Sequence, residues 1–218
     1  MASKNDIVII NYNMGNLGSV ANMLNKIGAS VSISSDPKVI SYADKLILPG
    51  VGSYDHGMNS LHELGLIDIL NQKVLEEKTP ILGICLGMQL LTKYSEEGKK
   101  HGLGCIDAQT LKFSFNNKIN NELKIPHMGW NSLSKINDNI LFSDIDPLEN
   151  RFYFVHSYYV KCNNNEDISA ETIYGNSFTS SLRKNNIFGT QFHPEKSHKF
   201  GMRVLNNFLK YNIGNKYA

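Results

Sequence analysis

The sequence predicts an α/β protein: an open, mostly parallel sheet with helices on both faces, plus a small antiparallel extension. Three observations predict it. Through residues 6–94, strand-length apolar runs alternate with segments of helical period. Those runs are continuously apolar, as strands covered on both faces read. Past about residue 110, strand-like segments follow one another across Asn- and Gly-rich turns, the pattern of antiparallel pairing.

Taken in order, residues 6–12 (DIVIINY) form a β-branched run and hence a buried first strand. Leu17, Val20, Leu24 and Ile27 follow at spacings of three and four, one face of a helix that Gly28 stops. Residues 30–35 read as a second strand, and Asp36-Pro37 opens a short helical turn. Residues 45–48 make a third strand that runs into Pro49-Gly50. Ile67, Leu70, Val74 and Leu75 mark an amphipathic helix over 66–78, residues 80–85 (PILGIC) a fourth strand, and 86–94 a third helix. Strands are then expected over 111–115, 152–160, 168–174, 177–182 and 187–192. Turns are expected at Asn117, Asn163-Asn164-Asn165, Gly175-Asn176 and Asn185-Asn186. Val204, Leu205, Phe208 and Leu209 mark a closing helix. With no internal repeat and no linker, residues 1–218 read as a single domain.

Composition narrows the function. Apolar residues make up 41% and charged residues 19%, enough for a folded core. The net charge of +2 argues against nucleic acid as a partner. No apolar run reaches the roughly 18 residues of a membrane span, and the N-terminal residues lack the apolar core of a secretory signal. Cys85, Cys105 and Cys162 are odd in number and show no C-x-x-C spacing, so neither a disulfide framework nor a zinc site is expected. A reducing cytoplasm is the expected location.

One motif falls short. Asn13 to Gly18 reads N-x-G-x-x-G after the first strand, but lacks the first glycine of a dinucleotide fingerprint. The reading preferred is an ordinary strand–helix turn.

The chemistry gathers elsewhere. Gly83-Ile84-Cys85-Leu86-Gly87 lies where the fourth strand becomes a helix and is the thiol form of the G-x-S-x-G nucleophile elbow. The flanking glycines suit a turn too sharp for side chains. A helix N-terminus beneath the sulphur favours thiolate. Such a nucleophile needs a base, and the base an orienter. Gln191-Phe192-His193-Pro194-Glu195 supplies both after a late strand. In extended geometry His193 and Glu195, two apart, share one side. Pro49-Gly50-Val51-Gly52 ends the third strand at the same sheet edge. Its backbone N–H groups, with that of Leu86, suit an oxyanion hole.

PGVG, GICLGMQLL, PHMGWN, VHSYYV and QFHPEKS, in that order, resemble the class I (triad) glutamine amidotransferases, whose fold is flavodoxin-like. IPHMGWN and FVHSYYV narrow the likeness to the glutaminase subunits of imidazole glycerol phosphate synthases. The resemblance covers residues from about 6 to about 213. It departs at Asn11-Tyr12-Asn13, where the family has Asp-Tyr-Gly, and in the Asn-rich segment 113–123. Neither departure touches the triad.

The resemblance implies hydrolysis of L-glutamine without a cofactor. Cys85 is the nucleophile, His193 the acid–base and Glu195 its orienter. Val51 or Gly52 and Leu86 hold the oxyanion, and Gly50, Gln89, Ser157 and Tyr158 bind substrate. It implies a heterodimer in which a separate (βα)8-barrel cyclase receives ammonia through a tunnel, for histidine biosynthesis or, alternatively, amination of a surface-polysaccharide sugar. Other readings are a glutaminase paired with a pyridoxal phosphate synthase, a cysteine hydrolase of the same fold without a tunnel, and a decayed, non-catalytic subunit. The intact triad argues against decay. Lys196 and Asn16 lie at the active-site edge and are expected to line the synthase interface.

Overall fold

The computed structural model describes residues 7–115, 123–137, 140–146 and 148–212. Asp6 of the expected first strand, the turn at Asn117 and the middle of the Asn-rich segment lie outside them.

The sheet is built as the apolar runs dictate. Strands β1 (Ile7–Ile10), β2 (Val31–Ser34), β3 (Lys45–Gly50), β4 (Ile81–Cys85) and β13 (Ile187–Thr190) lie in the order β2-β1-β3-β4-β13, all parallel. This is the flavodoxin-like strand order. Successive residues feed opposite cores. Val8, Ile10, Leu46 and Leu48 join one, while Ile7, Ile9, Ile47 and Leu82 join the other. A strand buried on both faces has no place for a polar side, which is why these runs do not alternate.

Helix α1 (Leu17–Lys26) covers the second core with Val20 and Leu24, beside the closing helix α6 (His198–Lys210) with Val204, Leu205 and Phe208. Truncating a fully buried leucine such as Leu24 to alanine costs about 2–5 kcal/mol. The short helix α2 (Pro37–Ser41) starts as its sequence asks, with the Asp36 carboxylate accepting from Lys38 N at 2.8 Å and Pro37 in the first turn. On the other face lie α3 (Tyr54–Glu63) and α4 (Leu66–Asn71).

Several elements differ from expectation. Helix α3 was not foreseen: Tyr54, Met58 and Leu61 carry the helical spacing, but polar residues and Gly57 dilute it. The helix expected over 66–78 is α-helical to Asn71 and continues as a π-helical turn, Gln72–Glu76. Helix α5 (Leu86–Leu90) stops before the expected Tyr94, because Thr92 turns back on Gln89 O through both its N–H and its hydroxyl. Tyr94 instead enters strand β5 (Tyr94–Ser95), parallel to β6 (Ala108–Lys112), which itself begins before the expected residue 111. The strand expected over 152–160 breaks at Ser157. Its first half, β9 (Phe152–His156), pairs with β7 (His127–Asn131) in a separate two-stranded sheet. Its second half, β10 (Tyr158–Cys162), joins the main sheet between β6 and β12 (Asn176–Lys184).

Strand β12 also pairs with β13 and with β11 (Ile168–Tyr174), which carries the two-residue β8 (Lys135–Ile136). This is the antiparallel extension. Cys105 and Cys162, like Cys85, are buried free thiols, and no helix among the described residues is long and apolar enough to cross a membrane.

Candidate active site

The elbow is a backbone construction. Cys85 ends β4 with φ +54°, ψ −109°, a conformation L-residues seldom adopt. A Cβ at Gly83 would lie 2.7 Å from Met88 N, and one at Gly87 would collide with the Leu48 carbonyl. Only glycine fits either place, so the G-x-C-x-G spacing follows from the turn. Because α5 is five residues long, the dipole beneath the sulphur is weaker than that of the longer helix expected.

The β3–β4 register sets Gly50 directly beside Cys85. The first loop packs against the same place. Gly15, at φ +91°, lies where a Cβ would be 3.2 Å from Gly50 Cα, and a Cβ at Gly50 would collide with the Tyr12 hydroxyl. The glycine of the near-miss motif therefore serves a tight turn and a close approach.

His193 is buried, and its Nδ1 bonds Glu195 Oε1 at 2.7 Å. The pairing is as expected but the route is not: Glu195 sits in a 3-10 turn, Pro194–Lys196, rather than an extended segment. Ser197 clips this turn. Its hydroxyl donates to His193 O at 2.6 Å and accepts from Tyr153 N at 3.0 Å. Nothing local marked Ser197, since both partners are backbone groups. Burial pulls the His193 pKa down, but interaction with Cys85 and Glu195 outweighs it and lifts the value to about 10. His193 Nε2 and Glu195 Oε2 are buried without a hydrogen-bond partner. The ring is therefore held by Glu195 on one side and charge-coupled to Cys85 on the other.

Cys85 opens onto a cavity of about 290 Å³. Seven expected site residues line it: Val51, Gly52, Cys85, Leu86, Gln89, Ser157 and Tyr158. Gly50 lies beside the sulphur in the sheet, and His193 and Glu195 form the buried pair coupled to it. Asn16 and Lys196 do not line this cavity. Asn16 caps α1, its Oδ1 accepting from Ser19 N at 3.2 Å, and Lys196 Nζ sits 5.6 Å from the Tyr153 ring centre.

Glu97, Pro126, Val155 and His156 line the cavity unforeseen. Glu97 is held by Tyr54 N at 2.9 Å, and burial raises its pKa. The tandem Glu96-Glu97 gave no local sign of which carboxylate turns inward. Gln191, fully buried, donates to Cys85 Sγ at 3.7 Å. It lies in the QFHPEKS motif, whose local pattern singles out only His193 and Glu195. Phe113, at the front of the Asn-rich segment, packs 5.3 Å from His156, so that departure reaches the cavity wall.

A parallel flavodoxin-like sheet with a cysteine elbow and a buried His–Glu pair defines a class. The glutamine amidotransferase class-I model matches residues 8–211, and the chain belongs to that family. It is 57% identical over 209 residues to a Methanococcus maripaludis protein named imidazole glycerol phosphate synthase subunit HisH 2, covering 94% of this chain and 98% of that one. Identity is 50% over 205 residues to a HisH 1 of Campylobacter jejuni (94% and 99% covered). It is 45% over 204 residues to a HisH 2 of Pseudomonas aeruginosa (94% and 98%). Among solved structures, a putative GMP synthase subunit from Thermoplasma acidophilum superposes with TM-score 0.70 at 18% identity, covering 96% of this chain and 94% of that one. PurLQS of Thermotoga maritima superposes with TM-score 0.70 at 16% identity (95% and 99%). These two likenesses concern the fold alone.

Proposed function

We propose that this chain is the glutaminase subunit of an imidazole glycerol phosphate synthase. It hydrolyses L-glutamine to L-glutamate and ammonia for histidine biosynthesis, in the cytoplasm, as a single domain over 1–218. The observation that carries the chemistry is the buried His193–Glu195 pair, charge-coupled to a cysteine held at the cavity on a glycine-flanked elbow.

The Cys85 thiolate attacks the side-chain amide carbon of glutamine. The C=O electron pair moves to oxygen, which the backbone N–H of Leu86 and that of Val51 or Gly52 receive. His193, charged and oriented by Glu195, gives its proton to the leaving nitrogen, and ammonia departs from a γ-glutamyl thioester. His193 then takes a proton from water, whose hydroxide displaces the sulphur and releases glutamate. Glu97, the carboxylate lining the cavity, suits the substrate's α-ammonium. Ser157 and Tyr158, at the strand break, and Gln89 complete the wall that holds its amino-acid end.

Ammonia protonates in water, so the chain acts docked on a separate (βα)8-barrel cyclase that receives ammonia directly. A docking face around the cavity is supported by half-exposed Val51, Ile125, Met128 and Trp130. Trp130 stacks on His198 at 5.4 Å and meets Tyr153 edge-on at 6.1 Å, with Lys196 over Tyr153. Asn16 and Lys196 are assigned to the rim of this interface.

The test is Cys85→Ala in the reconstituted complex. Glutamate release from glutamine should vanish, while the cyclase still works on supplied ammonia. Undiminished glutamate release ends the assignment. If the co-purifying synthase aminates a sugar instead, the chemistry stands and the pathway changes.

A further inference from the structure

A chain of polar groups, its histidines and glutamines buried, runs from strand β7 to the catalytic sulphur. Asn131 Nδ2 lies 3.3 Å from His127 Nε2, and His127 Nδ1 lies 3.0 Å from His156 Nε2. His156 Nδ1 lies 2.8 Å from the Tyr158 carbonyl. That carbonyl also accepts from Gln89 Nε2 at 3.1 Å. The same Gln89 nitrogen donates to Gln191 Oε1 at 3.1 Å, and Gln191 Nε2 donates to Cys85 Sγ at 3.7 Å.

The direction of this chain is determined from both ends. A carbonyl only accepts, so His156 Nδ1 must carry hydrogen and its Nε2 must be bare. At the far end, Asn131 Oδ1 accepts from Ser132 N at 2.8 Å and its amide nitrogen donates to Ile173 O at 3.0 Å. The amide group that faces His127 is therefore a donor, so His127 Nε2 must be bare and its Nδ1 must carry hydrogen. The two requirements meet between the rings: His127 Nδ1–H donates to bare His156 Nε2. All four imidazole nitrogens are satisfied in one arrangement. A protonated ring would put hydrogen against hydrogen at one of these contacts.

We propose that His127 and His156 are positioning residues for glutamine. With Asn131 they form a one-way hydrogen-bond chain that holds the Tyr158 carbonyl, and through it Gln89 and Gln191, on the wall of the Cys85 cavity. This rests on the reading of that cavity as the glutamine site. It also gives Gln89 a specific part. Both hydrogens of its nitrogen are committed to the wall, which leaves its oxygen as the one atom of the amide free to meet substrate, as an acceptor.

The surroundings fit two neutral rings. His127 stacks between Tyr174 (4.0 Å) and Phe154 (4.8 Å), and Phe113 and Phe178 pack on His156. Burial lowers the pKa of His127 to about 4 and that of His156 to about 3. Besides its partner, the charge of His193 acts on His156 and opposes a positive charge there.

Nitrogen-15 NMR of the whole chain at pH 7 reads the arrangement directly. Both rings should show protonated Nδ1 and bare Nε2, the less common neutral form. Protonated Nε2 on either ring overturns the proposal. A kinetic test uses His127→Phe, which keeps the stacking but removes both nitrogens, and His127→Asn, whose amide N–H takes the place of Nδ1–H. With the synthase present, His127→Phe should raise the glutamine KM about tenfold, the worth of the lost bond to His156, with kcat within about threefold. His127→Asn should recover most of the loss. A wild-type KM in a His127→Phe chain whose Cys85 still alkylates stoichiometrically refutes the positioning role. So does a fall in kcat alone, or equal damage in both variants. If His127→Phe does not fold, the wild-type tautomers decide. Failure of the glutamine-site reading appears separately, as Cys85→Ala retaining activity with the tautomers unchanged.

Discussion

Glu195→Gln isolates the charge of the orienter from its geometry. Glu195 Oε1 stands 2.7 Å from His193 Nδ1, and both side chains are nearly inaccessible. A glutamine oxygen accepts the same bond, so the ring stays aimed. What disappears is the carboxylate charge. A hydrogen bond with a charged partner contributes about 1.5–3 kcal/mol, and a neutral one about 0.5–1.5. The difference is on the order of 1.4 kcal/mol, or about one pKa unit. Glu195 helps to lift the His193 pKa, so removing its charge should lower that pKa. The new amide nitrogen takes the place of Glu195 Oε2, itself buried without a partner, so one unpaired polar atom replaces another. The assay is glutamate release as a function of pH, with the synthase and its ligand present. The alkaline limb should move about one unit towards neutrality, while the rate at neutral pH, where the ring is charged in both proteins, should fall far less than in His193→Asn. An unmoved alkaline limb, or a loss as complete as that of Cys85→Ala, would refute the division between orienter and acid–base.

His193→Asn should cost more, about 10²–10⁴-fold in rate, since the acid–base itself is lost; a wild-type pH–rate profile would contradict the role. Lys196→Ala should weaken binding to the synthase, roughly 2–5 kcal/mol if its pair is half-buried and within ~1 kcal/mol if it is solvated. Titration calorimetry decides, and unchanged affinity together with unchanged ligand-stimulated turnover removes Lys196 from the interface. Burial depresses the pKa values of His127 and His156. Their contribution to stability is therefore present above the unfolded-state value of about 6.5 and is lost as pH falls towards 4 and then 3. Denaturant titrations should show stability falling by up to about 1.4 kcal/mol per ring for each pH unit in that window. In His127→Phe the slope should shrink by one ring's share, and an unchanged slope would count against a buried neutral His127. Gly87→Ala should unfold the elbow, because the added carbon meets the Leu48 carbonyl; a soluble, fully active Gly87→Ala chain would show that the turn relaxes.

By itself the sequence determined whatever is encoded by neighbours along the chain. The parallel core was legible because a strand covered on both faces must be apolar throughout. The nucleophile was legible because a sharp strand–helix turn tolerates only glycine two residues either side of Cys85. His193 and Glu195 were legible as a pair two apart, even though a 3-10 turn rather than a strand joins them. What only the tertiary structure decided is the wall around the sulphur. Glu97 enters because the Tyr54 N–H at the start of α3, a helix whose apolar spacing was too dilute to read, holds its carboxylate. His156 enters because the chain breaks at Ser157 and sends the strand's two halves into different sheets. Gln191 reaches the sulphur because β13 pairs with β4 across a long stretch of intervening chain. Each contact depends on strand pairing or packing between distant segments, and such contacts impose no period and no spacing on the residues next door. Local turns write their geometry into adjacent positions, whereas a cavity wall is assembled from single residues whose neighbours serve other purposes.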